Sequence, residues 1–414
     1  MPTSTARESL PSALARAALA VAVGLAAYGV SWLLVPGVPE AHGFGEQWQM
    51  MAAQPFALVG QLPHRILAPL LAWVTGFGGP GGWVPFTRGL TVLMLAVVFL
   101  YGRSERARSI DAALVALAVA LIAPVQMYKL HWVGYADPLC YTLFFLSAMA
   151  VRSTPTFWLL FLANLFNHEL AAFLLPWLWF LRRRAGAAWR ADVVWAAATL
   201  AVYAAYYYYV KAHAAQQLFS DAYFREHPLF PGGTVVVWGL AIVHYTVAFG
   251  PVLAVLAWHQ ARPEFGRERW GTWLVLAGIA AIFCIAFDWN RHTNLIAMPL
   301  ALASLRFLQA GHRLVYVGLL VVTVALTTWI PPWPPVSWPT SLFFDPAFAA
   351  GVVVPTKETG GLGFYFGPLS AALQGWLPAV GKELAVICGI LLAILATGVA
   401  FAKLGPGGRR SLPS

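Results

Sequence analysis

Long apolar blocks alternate along this chain with short polar or arginine-rich segments. Stretches long enough to cross a bilayer, or nearly so, fall at 17–35, 88–102, 111–127, 138–151, 193–211, 235–258, 271–287, 293–310, 314–331 and 384–402. A hydrocarbon core of about 30 Å takes about 20 residues of helix. The pattern therefore predicts an all-α, polytopic integral membrane protein with about ten full transmembrane helices. Two further apolar pieces fit no simple span. The piece 64-HRILAPLLAWVTG-76 is brief and reads as a juxtamembrane helix. The piece 156–181 is long but interrupted by Asn167, His168 and Glu169, and reads as a broken or re-entrant pair of half-helices meeting at that cluster.

Charge orients the blocks. With the amino terminus in the cytoplasm, Arg103, Arg106 and Arg108, then Arg182, Arg183 and Arg184, then Arg262, Arg267 and Arg269 all fall on the inner side, as do most of the 26 Lys and Arg residues. The positive-inside rule then predicts both termini in the cytoplasm. The first apolar run follows Arg7 and Arg16, is long for a signal sequence and precedes VPEAHG, a poor cleavage site, so it reads as an uncleaved helix. The net charge of +10 is thereby a topology signal, with attraction to anionic lipid second, and calls for no nucleic acid.

Composition agrees. The chain is 60% hydrophobic and 10% charged, against about 45–50% apolar in soluble domains. Many of its 19 Trp sit beside loops, as aromatic belts at two interfaces would require. Cys140, Cys284 and Cys388 lie in apolar runs without CxxC spacing, so neither a disulfide framework nor a cysteine metal site is expected. The organisation reads as a single transmembrane domain, 1–414, with a first outer loop at 36–87 and a large outer loop at 332–382 that is rich in Pro, Gly and aromatics. That last loop reads either as an acceptor lid or as a packed interfacial segment.

The polar chemistry collects on the outer side: Glu40, His42, Glu46, His64, Arg65, Lys129, His131, Asp137, Asp221, His227, Asp288, Arg291, His292, Lys357 and Glu358. A carrier distributes polar groups through its depth, near a midplane site. An enzyme working at the outer membrane surface concentrates them as here.

Four segments carry a family resemblance: 63-PHRILAPLL-71, 135-YADPLCYTLFF-145, 167-NHELAAFLLP-176 and 288-DWNRHTNLIAMP-299. In order and character they resemble bacterial membrane glycosyltransferases of the GT-C class, although His168 and Leu170 stand where relatives often have Arg and Thr. The resemblance implies an all-α enzyme of the bacterial cytoplasmic membrane that moves a sugar from a polyprenyl-phosphate donor to a glycan or lipid acceptor at the non-cytoplasmic face. It also implies a catalytic acid in the first outer loop, for which Glu46 and Glu40 are the candidates, Glu46 being favoured because Gly45 and Gln47 leave room for a substrate.

Each remaining candidate admits a structural alternative. Asp137, before Pro138, is either catalytic or an acid favoured by a helix amino terminus. Lys129 and His131 suit a phosphate, or Lys129 an interface anchor. Arg291, with Asp288 and His292 in a short outer turn, offers a planar fork for a leaving phosphate, aided by Arg65, or a local ion pair. Glu169 would cost about 2.5–3.5 kcal/mol near the bilayer centre, so it is protonated, paired or facing water. The Asn167–His168–Glu169 cluster is read as breaking the helix and pointing into a protein-lined cavity, as a substrate-binding or a purely structural group.

HELAA lacks the second histidine of a zinc motif, so no cofactor is expected, a divalent ion staying open. With no βαβ pattern for a nucleotide sugar, the membrane itself delivers the donor. Two other functions remain: a transporter or flippase using Glu169 as coupling proton site, and a polysaccharide polymerase or ligase.

Overall fold

The computed structural model describes residues 10–37, 39–41, 44–60, 62–130, 132–214, 249–283, 292–328 and 388–403, with the isolated positions 218 and 246. Among the described residues the chain is helical, with no β-strand. The helices are α1 (Leu10–Leu34), α2 (Phe44–Ala53), α3 (Leu67–Val74), α4 (Trp83–Ser104), α5 (Ser109–Leu121), α6 (Ala123–Leu130), α7 (Asp137–Met149) and α8 (Thr154–Asn167). After a 3-10 turn at Glu169–Leu174 come α9 (Leu175–Arg184), α10 (Trp189–His213), α11 (Ala254–Ala261), α12 (Trp270–Phe283), α13 (Ala297–Gln309), α14 (Arg313–Thr328) and α15 (Cys388–Lys403).

Helix occupies the expected apolar stretches wherever they are described, but its lengths differ from the sequence expectation. Among the described residues three helices, α1, α4 and α10, are long and apolar enough to cross a membrane, or four if α5 and α6 are one bent span. The expected span 111–127 is bent by 56° between α5 and α6. Ile122 caps α5 in an extended conformation, and Pro124 then enters α6 with no N–H to continue the ladder. The large loop 332–382 lies outside the described residues.

Small side chains set the helix spacing. Ala20, Gly24, Ala27 and Ser31 recur at three- and four-residue intervals on α1, with Ala20, Ala27 and Ser31 buried. A Cβ on Gly24 would stand 2.6 Å from the Val92 carbonyl and 3.2 Å from Ala96 Cβ on α4. Such small-residue seams let helices approach where lipid supplies no hydrophobic drive between them. α4 packs on α1, α5 and α7, α7 on α8, and α8 on α10.

One end of this bundle is ionic. Arg182 pairs with Asp192, Arg313 with Asp111, and Arg306 with both Glu105 and Glu268. The first joins the end of α9 to the start of α10 and the second the starts of α5 and α14, while Arg306, near the end of α13, reaches the residue after α4 and the turn before α12. Asp137, Asn167 and His292 stand at the opposite ends of α7, α8 and the 3-10 turn leading into α13. Thirteen residues of α7 separate the two levels by roughly 20 Å.

Candidate functional site

The interrupted segment 156–181 is a hairpin. α8 runs out to Asn167, His168 takes an extended backbone (φ −160°, ψ 117°), and the 3-10 turn and α9 run back. The return is complete, because Arg182 on α9 donates to the Val151 carbonyl at 2.9 Å and to Thr154 Oγ1 at 2.7 Å, beside the start of α8. Asn167, His168 and Glu169 are the tip. At the break, His168 Nδ1 accepts from the Leu170 amide at 3.3 Å, and Asn167 Nδ2 donates to the Ala136 carbonyl at 3.3 Å. The tip is thereby tied to the residue before Asp137.

Three other segments converge on it. The turn preceding α3 is closed by the Arg65 amide on the Leu62 carbonyl at 2.9 Å. From it Arg65 donates Nε to Glu169 Oε2 at 2.9 Å and Nη2 to Oε1 at 2.5 Å. His64 Nε2 lies 3.4 Å from the same Oε2, and His168 Nδ1 lies 3.7 Å from it. From α7, Asp137 Oδ1 stands 4.0 Å from His168 Nε2. From the start of the 3-10 turn before α13, the His292 ring meets the His168 ring edge-on, with centroids 5.9 Å apart.

Each of these side chains is buried except Glu169, which is 28% exposed. Glu169 is therefore paired, one of the three ways by which a carboxylate in an apolar setting avoids its desolvation cost. A carboxylate between a guanidinium and imidazoles, and an imidazole between two carboxylates, supply what proton transfer and anion binding require. Among the described residues no group of three or more His, Cys, Asp or Glu side chains is arranged to hold a metal ion.

The array contains Asp137, His64, Arg65, Asn167, His168, Glu169 and His292 of the sequence candidates. Lys129 is elsewhere: its Nζ donates to Ser31 O and Oγ at 2.7 Å and to Val35 O at 2.9 Å, covering the carbonyl end of α1. That arrangement is an anchor, with the cation where the helix dipole favours it. Glu46, in the first turn of α2, and Glu40 are exposed. α2 reaches the site region through Gly45, packed against the Val133 carbonyl and Gly134, three residues before Asp137. His131, Asp288 and Arg291 lie outside the described residues.

α10 supplies what sequence reading missed. Tyr206 donates to the Pro63 carbonyl at 3.1 Å, and the Tyr207 ring meets His64 edge-on at 5.5 Å. Tyr203 and Tyr206 also pack on Phe166, next to the tip. The spacing 203, 206, 207 is a helical face, and that spacing is the signal of it in the sequence. An apolar cavity of about 370 Å³, lined by Trp273, Leu276, Ala277, Ile279, Ala280, Ile296, Thr246 and Thr293, adjoins the array at Thr293, beside His292.

Comparison with models of protein families, with curated proteins and with solved structures finds no match for this chain.

Proposed function

We propose that the chain is a polytopic membrane glycosyltransferase of GT-C type, with about ten spans and both termini cytoplasmic, in a bacterial inner membrane. It moves a sugar from a polyprenyl-phosphate donor to a glycan or lipid acceptor at the outer face. The observation that carries this reading is the convergence of Arg65, His64, Asp137, His168, Glu169 and His292 in one buried array. An apolar cavity beside His292 suits the donor's hydrocarbon.

In the transfer the acceptor oxygen bonds to the anomeric carbon as the bond from that carbon to the phosphate oxygen breaks. The phosphate leaves with the electron pair, and the acceptor proton passes to a base. Asp137 and His168 form that base, and Arg65 stabilises the departing phosphate. Arg291 is a second phosphate ligand and His292 orients His168. Glu46 and Glu40 are competing bases, exposed on the acceptor side.

A polysaccharide polymerase or ligase would use the same Arg and His chemistry with a larger donor. A transporter is favoured by one observation, the partial accessibility of the Glu169 side chain within an otherwise buried array.

The test is glycan and glycolipid profiling of a deletion strain complemented with wild type, Asp137→Asn, Glu46→Gln or Glu169→Gln, with membrane levels checked by blot. Deletion is expected to remove one glycan, and Asp137→Asn to leave it missing at normal protein levels. Full rescue by Asp137→Asn with failure of Glu46→Gln would move the base to α2. An unchanged glycan profile on deletion would sink the transferase reading.

A further inference from the structure

The array already holds an anion, and that anion belongs to the chain. Arg65 addresses both oxygens of Glu169, while His64 Nε2 and His168 Nδ1 stand 3.4 and 3.7 Å from Oε2. A guanidinium fork flanked by imidazoles is equally the recognition pattern of a phosphoryl group. Exposure is graded across the array: Glu169 is 28% exposed, Arg65 9%, His168 and Asp137 3%, and His64 0%. A ligand entering from the open side meets the carboxylate first and reaches the fork only in its place. His64 is fully buried, its Nε2 faces Glu169 Oε2 at 3.4 Å, and its Nδ1 has no hydrogen-bond partner among the described residues. It thus retains hydrogen-bonding capacity at Nδ1 that the resting array leaves unused.

We infer that Glu169 is an exchangeable occupant of an anion site formed by Arg65, His64 and His168, and that the phosphoryl group of a lipid binds there by displacing it. The lipid's identity as a donor rests on the transferase reading; the exchange does not. Glu169 stands first in a 3-10 turn, after the extended backbone of His168. Its side chain can swing aside without unwinding an α-helix. Exchange also has a quantitative signature. Apparent affinity is the intrinsic affinity scaled by the fraction of time the fork is free, so a fork occupied about nine-tenths of the time binds ligand about tenfold more weakly than an empty one. The apolar cavity at Thr293, next to His292, offers room for hydrocarbon and so favours a lipid phosphate over free phosphate.

The experiment measures binding of a polyprenyl monophosphate, a neutral polyprenol and inorganic phosphate to the full chain in nanodiscs, by native mass spectrometry and tryptophan fluorescence. Glu169→Gln is expected to bind the polyprenyl monophosphate about tenfold tighter than wild type, with Glu169→Asp between them. Arg65→Gln and the Arg65→Gln/Glu169→Gln double variant should lose that binding, and polyprenol should not respond to any substitution. The exchange is overturned if Glu169→Gln binds no tighter than wild type, or if the double variant binds as Glu169→Gln does. A response to inorganic phosphate alone overturns the lipid assignment. Folding of each variant is checked by its melting temperature, and Glu169→Asp, which keeps the charge, carries the comparison should Glu169→Gln melt early. The exchange and the transferase reading fail separately. Tightening without any glycan loss on deletion keeps the first and sinks the second, and glycan loss without tightening does the reverse.

Discussion

Arg182 and Asp192 face each other where neither has exposed surface. Arg182 Nε donates to Asp192 Oδ1 at 2.7 Å, and Trp158 Nε1 donates to the same oxygen at 3.1 Å. The pair fastens the returning arm of the hairpin to α8 and α10, and so holds the tip that carries Glu169. Removing one partner from a buried ion pair costs about 3–5 kcal/mol, because the other charge is left uncompensated. Asp192→Asn is therefore expected to lower the melting temperature sharply, as read by tryptophan fluorescence in detergent. An Arg182→Met/Asp192→Leu double variant should melt closer to wild type than Asp192→Asn; a double variant that melts far below the single would refute the electrostatic account.

A second ionic junction makes stability depend on pH. Glu268 accepts from Arg306 Nε at 2.9 Å and Nη2 at 3.0 Å, and lies 3.2 Å from His259 Nε2. Burial alone would raise its pKa, but the hydrogen bonds and charge of His259 and Arg306 outweigh burial and hold the carboxyl down at about 2, against an ordinary 4.5. A carboxyl depressed in the folded state stabilises fully above its unfolded pKa. That contribution falls away as pH drops from 4.5 towards 2. Melting temperature measured from pH 6 down to about 3 should decline more steeply for wild type than for Glu268→Gln. Parallel curves would show that Glu268 is not the titrating group.

Lys129 separates an anchor from a phosphate ligand. With its Nζ spread over Ser31 and Val35 at the end of α1, Lys129→Met leaves buried carbonyls without their donor, a loss of about 1–3 kcal/mol. The expected result is a lower melting temperature with phosphate-lipid binding unchanged. Loss of binding at unchanged stability would reinstate the phosphate role.

Much of the architecture was legible, and the reasons for the rest are physical. Apolar blocks located the helices because burial and lipid both reward them. The interruption at Asn167–Glu169 located the break, since three polar side chains inside an apolar run cannot continue a lipid-facing helix cheaply. The sequence could not say which polar groups meet. His64 and Glu169 are joined by a fold that brings the turn before α3 against a hairpin tip, and nothing local to either encodes it. For the same reason Lys129 reads from sequence as either a phosphate ligand or an anchor, because an α1 carbonyl end in need of a cation leaves no sequence mark. The bend at Ile122 and the tyrosine face of α10 escape the reading of both segments as plain spans, although Pro124 and the spacing 203, 206, 207 are their marks.

Gly134 fixes the approach to Asp137. Its φ is +88°, and a Cβ there would lie 3.0 Å from Ala41 Cβ and 3.1 Å from both Gly45 Cα and Trp83 Nε1. Trp83 Nε1 meanwhile donates to its carbonyl at 2.8 Å. Gly134→Ala imposes a left-handed conformation on a residue with a side chain, worth about 1–3 kcal/mol, in a space with no slack. It should lower the melting temperature and reduce glycan restoration together. Restoration at full wild-type level would mean that the position of Asp137 does not depend on this turn.

Asp137 and His168 are only 4.0 Å apart, and on the transferase proposal the carboxylate orients the imidazole, so that the two act as one unit. A positioned acid–base group contributes about 10²–10⁴-fold to rate. Asp137→Asn and His168→Asn are each expected to lower kcat by about 10²-fold or more on a lipid-linked donor, with Glu46→Gln retaining more activity than either. The decisive comparison is the double variant. Groups that act as a unit are strongly non-additive, because losing either already removes the shared effect. The Asp137→Asn/His168→Asn enzyme should therefore be no slower than the worse single variant, and a loss equal to the product of the two singles would mean that the residues act independently.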